Sequence, residues 1–177
     1  MSQSTGQSTK SIGHVSDTAK WVAVYRAMES ERPDALFKDP HARALAGRDG
    51  EDIVRSLPGG ASLAWTLAVR TQVIDEMIRQ VVENEGVTQV VNLACGLDTR
   101  PYRLVLPPSV QWVEADLPDL IHYKEASLAS EKPSMPLERV AVDLSLKPAR
   151  DEFLDRIAQH GKKTLILTEG LLCYLPE

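Results

Sequence analysis

The stretch VVNLACGLDTRPYRL, residues 90–104, decides the fold of this chain. Its apolar and β-branched residues, together with those just before it, predict a short buried strand over residues 87–94. The strand runs into a turn of small residues, Ala94, Cys95 and Gly96, and such turns let backbone N–H groups approach a ligand closely. The stretch therefore predicts a strand followed by a ligand-binding turn.

Three further segments of the same kind follow along the chain. Each is short and rich in β-branched residues, and the stretches between them could hold helices or loops. Alternation of this kind is typical of an α/β fold with a parallel sheet. The four predicted strands are residues 87–94, 109–116, 137–143 and 162–170.

The residues before the first strand predict helices. A first helix is expected to begin with Asp17 as its cap and to end by Arg32, and a short helical pattern that Gly47 can end follows it. After a turn at residues 58–60, a long helix is expected over residues 62–84. Its apolar stripe is predicted to comprise Leu63, Leu67, Ile74, Met77, Ile78 and Val81, and its stop signal is Gly86.

The composition bounds the class of protein and its partners. With 177 residues, 43% of them hydrophobic and 25% charged, the chain can form one domain with a core. Its net charge of -5 does not favour a nucleic-acid partner. No apolar run reaches the roughly 18–20 residues that span a bilayer, and the polar N-terminus lacks a secretion signal. We expect no membrane segment.

The cysteines and histidines indicate neither a disulfide framework nor a metal site. The two cysteines, Cys95 and Cys173, are isolated and lack ligand spacing. The four histidines share no motif. A reducing cytoplasm is the expected location, and Cys95 is expected to be a small buried filler.

An acidic residue ends the second predicted strand. Asp116 follows Gly96 by about 20 residues, the spacing of ribose-binding α/β sites, where a carboxylate accepts hydroxyl protons. Glu114 would point the same way, but Asp116 lies at the strand end, where ligands bind. The window ACGLDT lacks the GxGxxG of a pyrophosphate cradle, which disfavours the alternative of an NAD-dependent oxidoreductase.

Six ordered blocks resemble the leucine carboxyl methyltransferase superfamily, most of all its mycobacterial and actinobacterial branch of S-adenosylmethionine-dependent methyltransferases. They are DTAKWVAVYRAMESERPDALFKDPHARALAG, AVRTQVIDEMI, VVNLACGLDTRPYRL, WVEADLPDLIHYK, RVAVDL and LTEGLLCYLPE. The resemblance implies a class I methyltransferase Rossmann-like sheet, with the third, second, first and fourth strands side by side in that order. The later strands of that sheet are not in this sequence, so we expect an incomplete sheet.

The resemblance implies S-adenosylmethionine as the cofactor and assigns residues to it. Arg70 would clamp the methionine carboxylate, because a guanidinium offers bidentate geometry. Gly96 would leave room for the cofactor, although this sequence has Ala94 where relatives usually carry another glycine. Asp116 would bind the ribose, and Asp98 in the DTR signature is expected to hold the turn.

Three further residues complete the implied site. The Asp143 carboxylate and the Leu144 backbone N–H would read adenine, and Glu169 would face the methionine portion near the cofactor's ammonium. With these assignments, the chain divides into a disordered tail (1–14), an N-terminal helical segment (15–86) and a partial cofactor-binding α/β core (87–177).

The implied reaction is methyl transfer to an oxygen of a small-molecule or carboxylate-bearing acceptor. A carboxylate is already ionised, so no catalytic acid or base is assigned. The alternative is an inactive truncated remnant of such an enzyme. The fourth strand would be an exposed apolar edge, and we expect self-association through it.

Overall fold

A computed structural model describes residues 15–57, 60–159 and 161–172. Three helices come first: α1 (Val15–Glu31), α2 (Ala42–Ser56) and α3 (Gly60–Glu85). Strands and helices then alternate: β1 (Gln89–Leu93), α4 (Arg100–Arg103), β2 (Gln111–Asp116), α5 (Pro118–Ser127), β3 (Leu137–Ala141), α6 (Lys147–Ala158) and β4 (Thr164–Thr168). The disordered tail predicted for residues 1–14 and most of the turn predicted at residues 58–60 lie outside the described residues.

The four strands form one parallel sheet in the order β3-β2-β1-β4. In the centre of the sheet, Asn92 of β1 lies opposite Glu114 of β2 and Leu167 of β4. This arrangement confirms the predicted α/β, Rossmann-like fold. Because all strands run the same way, their carboxyl ends and the loops that follow them meet at one edge of the sheet.

Side-chain alternation along the strands gives the sheet two apolar faces. On one face, Val90 and Trp112 are fully buried against Ile78 and Val82 of α3. Burial of one such aliphatic side chain stabilises the fold by about 1.5–3 kcal/mol. The opposite face carries a second cluster that packs on α6, formed by Val91, Val113, Ala115, Leu144, Phe153, Ile157 and Leu171.

Helix α1 and the first half of α2 pack over the turn after β1. Ala23 and Val24 of α1 join Leu45 of α2, Leu97 of the turn and Leu120 of α5 in a third buried cluster. The helical segment is thereby anchored at the carboxyl edge of the sheet. Within the described ranges, none of the helices has the length and apolarity needed to cross a bilayer.

The helix boundaries differ in part from the sequence prediction. Helix α1 begins at Val15, so Asp17 lies in its first turn and is not the cap. Gly47 does break the helical geometry (φ 60°, ψ -174°), but α2 resumes beyond this kink. In α3, Leu63 and Met77 of the predicted apolar stripe are 41% and 57% exposed, so only part of this stripe is buried. The sequence pattern overestimated the width of the face that the sheet covers.

Candidate functional site

A cavity of about 430 Å³ lies at the carboxyl edge of the sheet. Its walls are residues of α1 and α3 and the loops that follow all four strands. The structure brings all six sequence-predicted site residues to this cavity: Arg70, Gly96, Asp116, Asp143, Leu144 and Glu169. They converge because each of them, except Arg70 on α3, follows or ends a strand.

The turn after β1 forms the floor of the cavity and has a left-handed backbone. Both Ala94 and Gly96 have φ of 53°. The Gly96 N–H donates to Asp116 Oδ2 at 2.7 Å. A Cβ added at Gly96 would lie 3.3 Å from the Cβ of Ala19 on α1. Glycine at this position therefore satisfies both the backbone conformation and the close approach of α1.

Asp116 is fixed by the backbone at the end of β2. Its second oxygen, Oδ1, accepts from the Leu117 N–H at 2.7 Å. Burial raises the pKa of Asp116, and the two N–H donors only partly offset this effect. Glu114 is fully buried and bonded to Lys124 (2.6 Å) and Arg139 (2.9 Å). Glu114 is thus committed to ion pairs, whereas Asp116 lies on the cavity wall.

Glu169 lies between two arginines just beyond β4. Its Oε2 is 3.0 Å from Arg100 Nη1, and its Oε1 is 2.9 Å from Arg70 Nε. The second contact is an ion pair without hydrogen-bond geometry, and Arg70 Nε has no hydrogen-bond partner among the described residues. The Arg70 side chain is 40% exposed. Arg70 therefore keeps donor capacity at the cavity.

A buried charge network supports this end of the cavity. The guanidinium of Arg100, 3% exposed, bonds Asp75 Oδ1 at 2.6 Å and Asp98 Oδ2 at 2.7 Å. Arg103 also pairs with Asp75. Burial would raise the pKa of Asp98, but the charges of Arg100 and Arg103 outweigh it and hold that pKa far below its usual range. Asp98 Oδ1 accepts the Arg100 N–H at 2.9 Å, so its turn-holding role is confirmed.

The sequence pattern does not predict this network. Arg100 belongs to the recognised DTR motif, but nothing in the sequence connects it with Asp75, which is 25 residues earlier on α3. Asp75 and Arg100 become buried together because α3 and α4 meet in the folded chain. A charged residue on the apolar side of a predicted helix is the one local signal that points to such a pair.

The loop after β3 forms the opposite end of the cavity. Asp143 Oδ1 accepts from the backbone N–H of Ser145 at 2.9 Å and from its hydroxyl at 2.6 Å. These hydrogen bonds lower the pKa of Asp143 and keep its carboxylate ionised. Leu144 is buried among the residues that pack on α6. The loop therefore has a fixed conformation with a charged acceptor at the cavity.

Cys95 is buried in the floor of the cavity, as expected for a structural filler. Its Sγ lies 3.7 Å from Lys124 Nζ, which is fully buried and bonded to Glu114. Burial raises the pKa of the Cys95 thiol well above its usual value, so it is not an activated nucleophile. Across the described ranges, no group of three or more His, Cys, Asp or Glu side chains is arranged to hold a metal ion.

A parallel sheet with a cavity at its carboxyl edge defines a Rossmann-like α/β protein. The profile of the family described as leucine carboxyl methyltransferase matches residues 19–177, and the chain belongs to this family.

Relatives from actinobacteria match most of the chain. A Streptomyces coelicolor protein is 35% identical over 90% of this chain and 59% of its own length, and a Mycobacteroides abscessus protein is 35% identical over 99% and 62%. A Parafrankia protein is 37% identical over 93% and 54%. Each is named "Putative S-adenosyl-L-methionine-dependent methyltransferase". The chain thus spans less than two thirds of the length of these relatives.

Proposed function

We propose that this chain forms the S-adenosylmethionine-binding part of a methyltransferase. The observation that carries the proposal is the convergence of Arg70, Gly96, Asp116, Asp143, Leu144 and Glu169 on one cavity. In this proposal, the α/β core (residues 87–177) supplies most of the cofactor-binding residues. The N-terminal helical segment (residues 15–86) supplies Arg70 and packs over the cavity.

The chemistry of the cavity suits this cofactor. A volume of about 430 Å³ falls within the range of small-molecule sites. Arg70 Nε is in an ion pair with Glu169, but the guanidinium, 40% exposed at the cavity wall, carries further N–H donors that suit a carboxylate. Asp116 and Asp143 offer carboxylate acceptors at the ends of the neighbouring strands β2 and β3, which suits ribose hydroxyls and an adenine amine. Gly96 lets α1 approach the turn, since a Cβ added there would lie 3.3 Å from the Cβ of Ala19.

Bound there, S-adenosylmethionine would supply a methyl group activated by its positive sulfonium. The carboxylate of Glu169 favours cationic groups at its end of the cavity. Apolar side chains of α1, α3 and the loop after β4, such as Val22, Leu67 and Leu171, line the cavity and would limit the access of water to a bound cofactor. The residues of this chain would therefore bind, orient and desolvate the reactants.

The proposed acceptor is a carboxylate oxygen. Its support is the description of the family, leucine carboxyl methyltransferase. An acceptor carboxylate is ionised at neutral pH, so its methylation requires positioning and no general base.

Calorimetric titration of the chain with S-adenosylmethionine tests the proposal. Arg70→Ala and Asp116→Asn should each weaken binding about tenfold to hundredfold, because each removes a charged hydrogen-bond partner. Arg79→Ala is the matched control, since Arg79 lies on the same helix but pairs with Glu76 at the surface. Absence of binding to the folded chain at millimolar concentration, or equally tight binding of NAD, would refute the proposal.

A further inference from the structure

The edge strand β4 has a sequence that reads the same in both directions. Residues 164–168 read TLILT with Ile166 at the centre, and Lys163 and Glu169 flank them with opposite charges. In the part of the chain that the structure describes, β4 pairs with β1 alone, so its outer edge has no partner strand. An open edge of this kind is a template for pairing with another strand.

The backbone of β4 presents alternate residues to this open edge. The Lys163 carbonyl accepts from the Gln89 N–H of β1 at 3.3 Å. In a parallel ladder, residues whose N–H and C=O groups face one neighbouring strand alternate with residues whose groups face the other side. The odd-numbered residues of β4 therefore bond to β1. The even-numbered residues, with Ile166 at their centre, direct their N–H and C=O groups to the open edge.

Two copies of β4 complement each other when they run antiparallel about Ile166. In this register Ile166 lies opposite its own equivalent, threonine lies opposite threonine and leucine lies opposite leucine. The outward-facing residues of one copy meet the outward-facing residues of the other, so both edges would find hydrogen-bond partners. Matched threonine and aliphatic pairs across such a ladder are also stabilising.

The flanking charges favour the same register. Lys163 and Glu169 are equally far from Ile166, so Lys163 of one copy would lie opposite Glu169 of the other. Lys163 Nζ is 3.3 Å from Glu85 Oε2 of α3. Glu169 is 2.9 Å from Arg70 of the same helix, so both side chains lie on the α3 face of the sheet. A lysine at an open edge usually opposes strand pairing, but here it would meet an opposite charge, whereas a parallel pair would bring like charges together.

An exposed side of α3 extends this surface. Val73 and Met77 follow Arg70 by three and seven residues, so they lie on the side of α3 from which Arg70 reaches the end of β4. They are 50% and 57% exposed. A two-fold axis perpendicular to the sheet would place the α3 helices of two copies side by side on one face, with these apolar residues towards each other.

We propose that this surface binds a second copy of the chain, with the two β4 strands antiparallel about a two-fold axis at Ile166 and Lys163 of each copy opposite Glu169 of the other. The two four-stranded sheets then form one continuous sheet. Lys163 of the partner copy lies beside a carboxylate that lines the cavity, so each cavity has a charge of the other copy next to it. No ligand takes part in this contact, and the inference is therefore independent of the proposed function.

Disulfide cross-linking of cysteine variants in a Cys173→Ser background tests the register. Ile166→Cys should form a disulfide-linked dimer, because directly opposite residues of such a pair have Cα atoms about 5.5 Å apart. Thr164→Cys and Thr168→Cys should not cross-link alone, since each lies about 14 Å along the strands from its own equivalent. An equimolar mixture of these two should cross-link. The Cys173→Ser chain, whose Cys95 is buried, is the control and should stay uncross-linked.

Two outcomes of this experiment would overturn the inference. One is that Thr164→Cys cross-links alone as efficiently as in the mixture, which would indicate a parallel pair or another register. The other is that neither Ile166→Cys nor the mixture cross-links although the variants are folded.

A charge reversal tests the ion pairs between the copies. Lys163→Glu would place like charges opposite each other at two symmetric positions, so the dissociation constant of the dimer should rise about tenfold in sedimentation velocity. Lys162→Glu is the matched control, because Lys162 bonds to the Gln111 side chain and the register places it opposite Gly170 of the partner copy. It should leave the dissociation constant unchanged. Equal effects of the two variants, or a wild-type chain that stays monomeric, would refute the proposed dimer.

Discussion

At the scale of single residues, the turn after β1 has a left-handed backbone at two residues, Ala94 and Gly96, and the conformational energy of this backbone differs between them. Gly96 adopts φ of 53° without strain, whereas Ala94 has the same φ and carries a Cβ. A left-handed conformation costs a residue with a Cβ about 1–2 kcal/mol. Ala94 therefore strains the turn, whereas Gly96 adds no strain to it.

Gly96→Ala should destabilise the chain and push α1 slightly away from the turn. Its Cβ would be strained by the positive φ and would lie 3.3 Å from the Cβ of Ala19, which must then shift. We expect a loss of about 2 kcal/mol in the free energy of unfolding and at least tenfold weaker binding of S-adenosylmethionine. Urea denaturation and calorimetry measure the two effects.

Gly86→Ala is the matched control for this substitution. Gly86 also has a positive φ, 64°, but an added Cβ would meet no atom within 4 Å. It should cost about 1 kcal/mol through backbone strain alone and leave ligand binding unchanged. If the two variants had the same stability and the same affinity, the contact between α1 and the turn would contribute neither to folding nor to ligand binding.

At the scale of elements, a buried ion pair connects the helical segment to the sheet. Arg26 of α1 donates to Asp39 Oδ2 at 2.9 Å and to the Leu97 carbonyl at 2.5 Å. Thr99 donates to the same oxygen of Asp39 at 2.6 Å. Asp39 therefore holds together α1, the segment before α2 and the turn that forms the floor of the cavity.

Asp39→Asn should lower the free energy of unfolding by about 3 kcal/mol near neutral pH, because it leaves the Arg26 charge buried without a counter-ion. Burial would raise the pKa of Asp39, but Arg26 and Thr99 outweigh it and lower that pKa. The stabilisation is thus present above the usual value of 3.8 and is lost as the pH falls through the lowered pKa. The Asn variant should show a shallower loss of stability in acid.

Urea denaturation between about pH 7 and pH 3 checks both effects. Glu31→Gln is the control, because Glu31 and Arg43 also connect α1 and α2 but are 60% and 41% exposed. An exposed pair contributes less than about 1 kcal/mol. Equal destabilisation in the two variants, or the same acid dependence in Asp39→Asn as in the wild type, would contradict the assigned role of Asp39.

At the scale of the whole molecule, the sequence predicts the features that depend on local pattern or on strand ends. The strands and their parallel arrangement follow from short β-branched segments, and Asp116 is found because it ends a strand. The charge pair of Arg100 and Asp75 escapes prediction, because it depends on a contact between α4 and α3, 25 residues apart in the chain. The exposure of Met77 could not be predicted either, because periodicity does not show which part of an apolar stripe is covered.

The sheet edge at β4 leads to a prediction about the behaviour of the chain in solution. Within the described residues, β4 pairs only with β1, and Ile166 in its middle is 53% exposed. An unpaired, apolar edge strand is a template for pairing with another chain, and lysine at such an edge opposes it. The wild-type chain should therefore self-associate with rising concentration, and Ile166→Lys should weaken the association at least tenfold. Val105→Lys, which adds the same charge at an 87% exposed apolar residue outside the strands, should not. Sedimentation velocity over a concentration series distinguishes the two variants, and a wild-type chain that stays monomeric throughout would show that this edge does not mediate association.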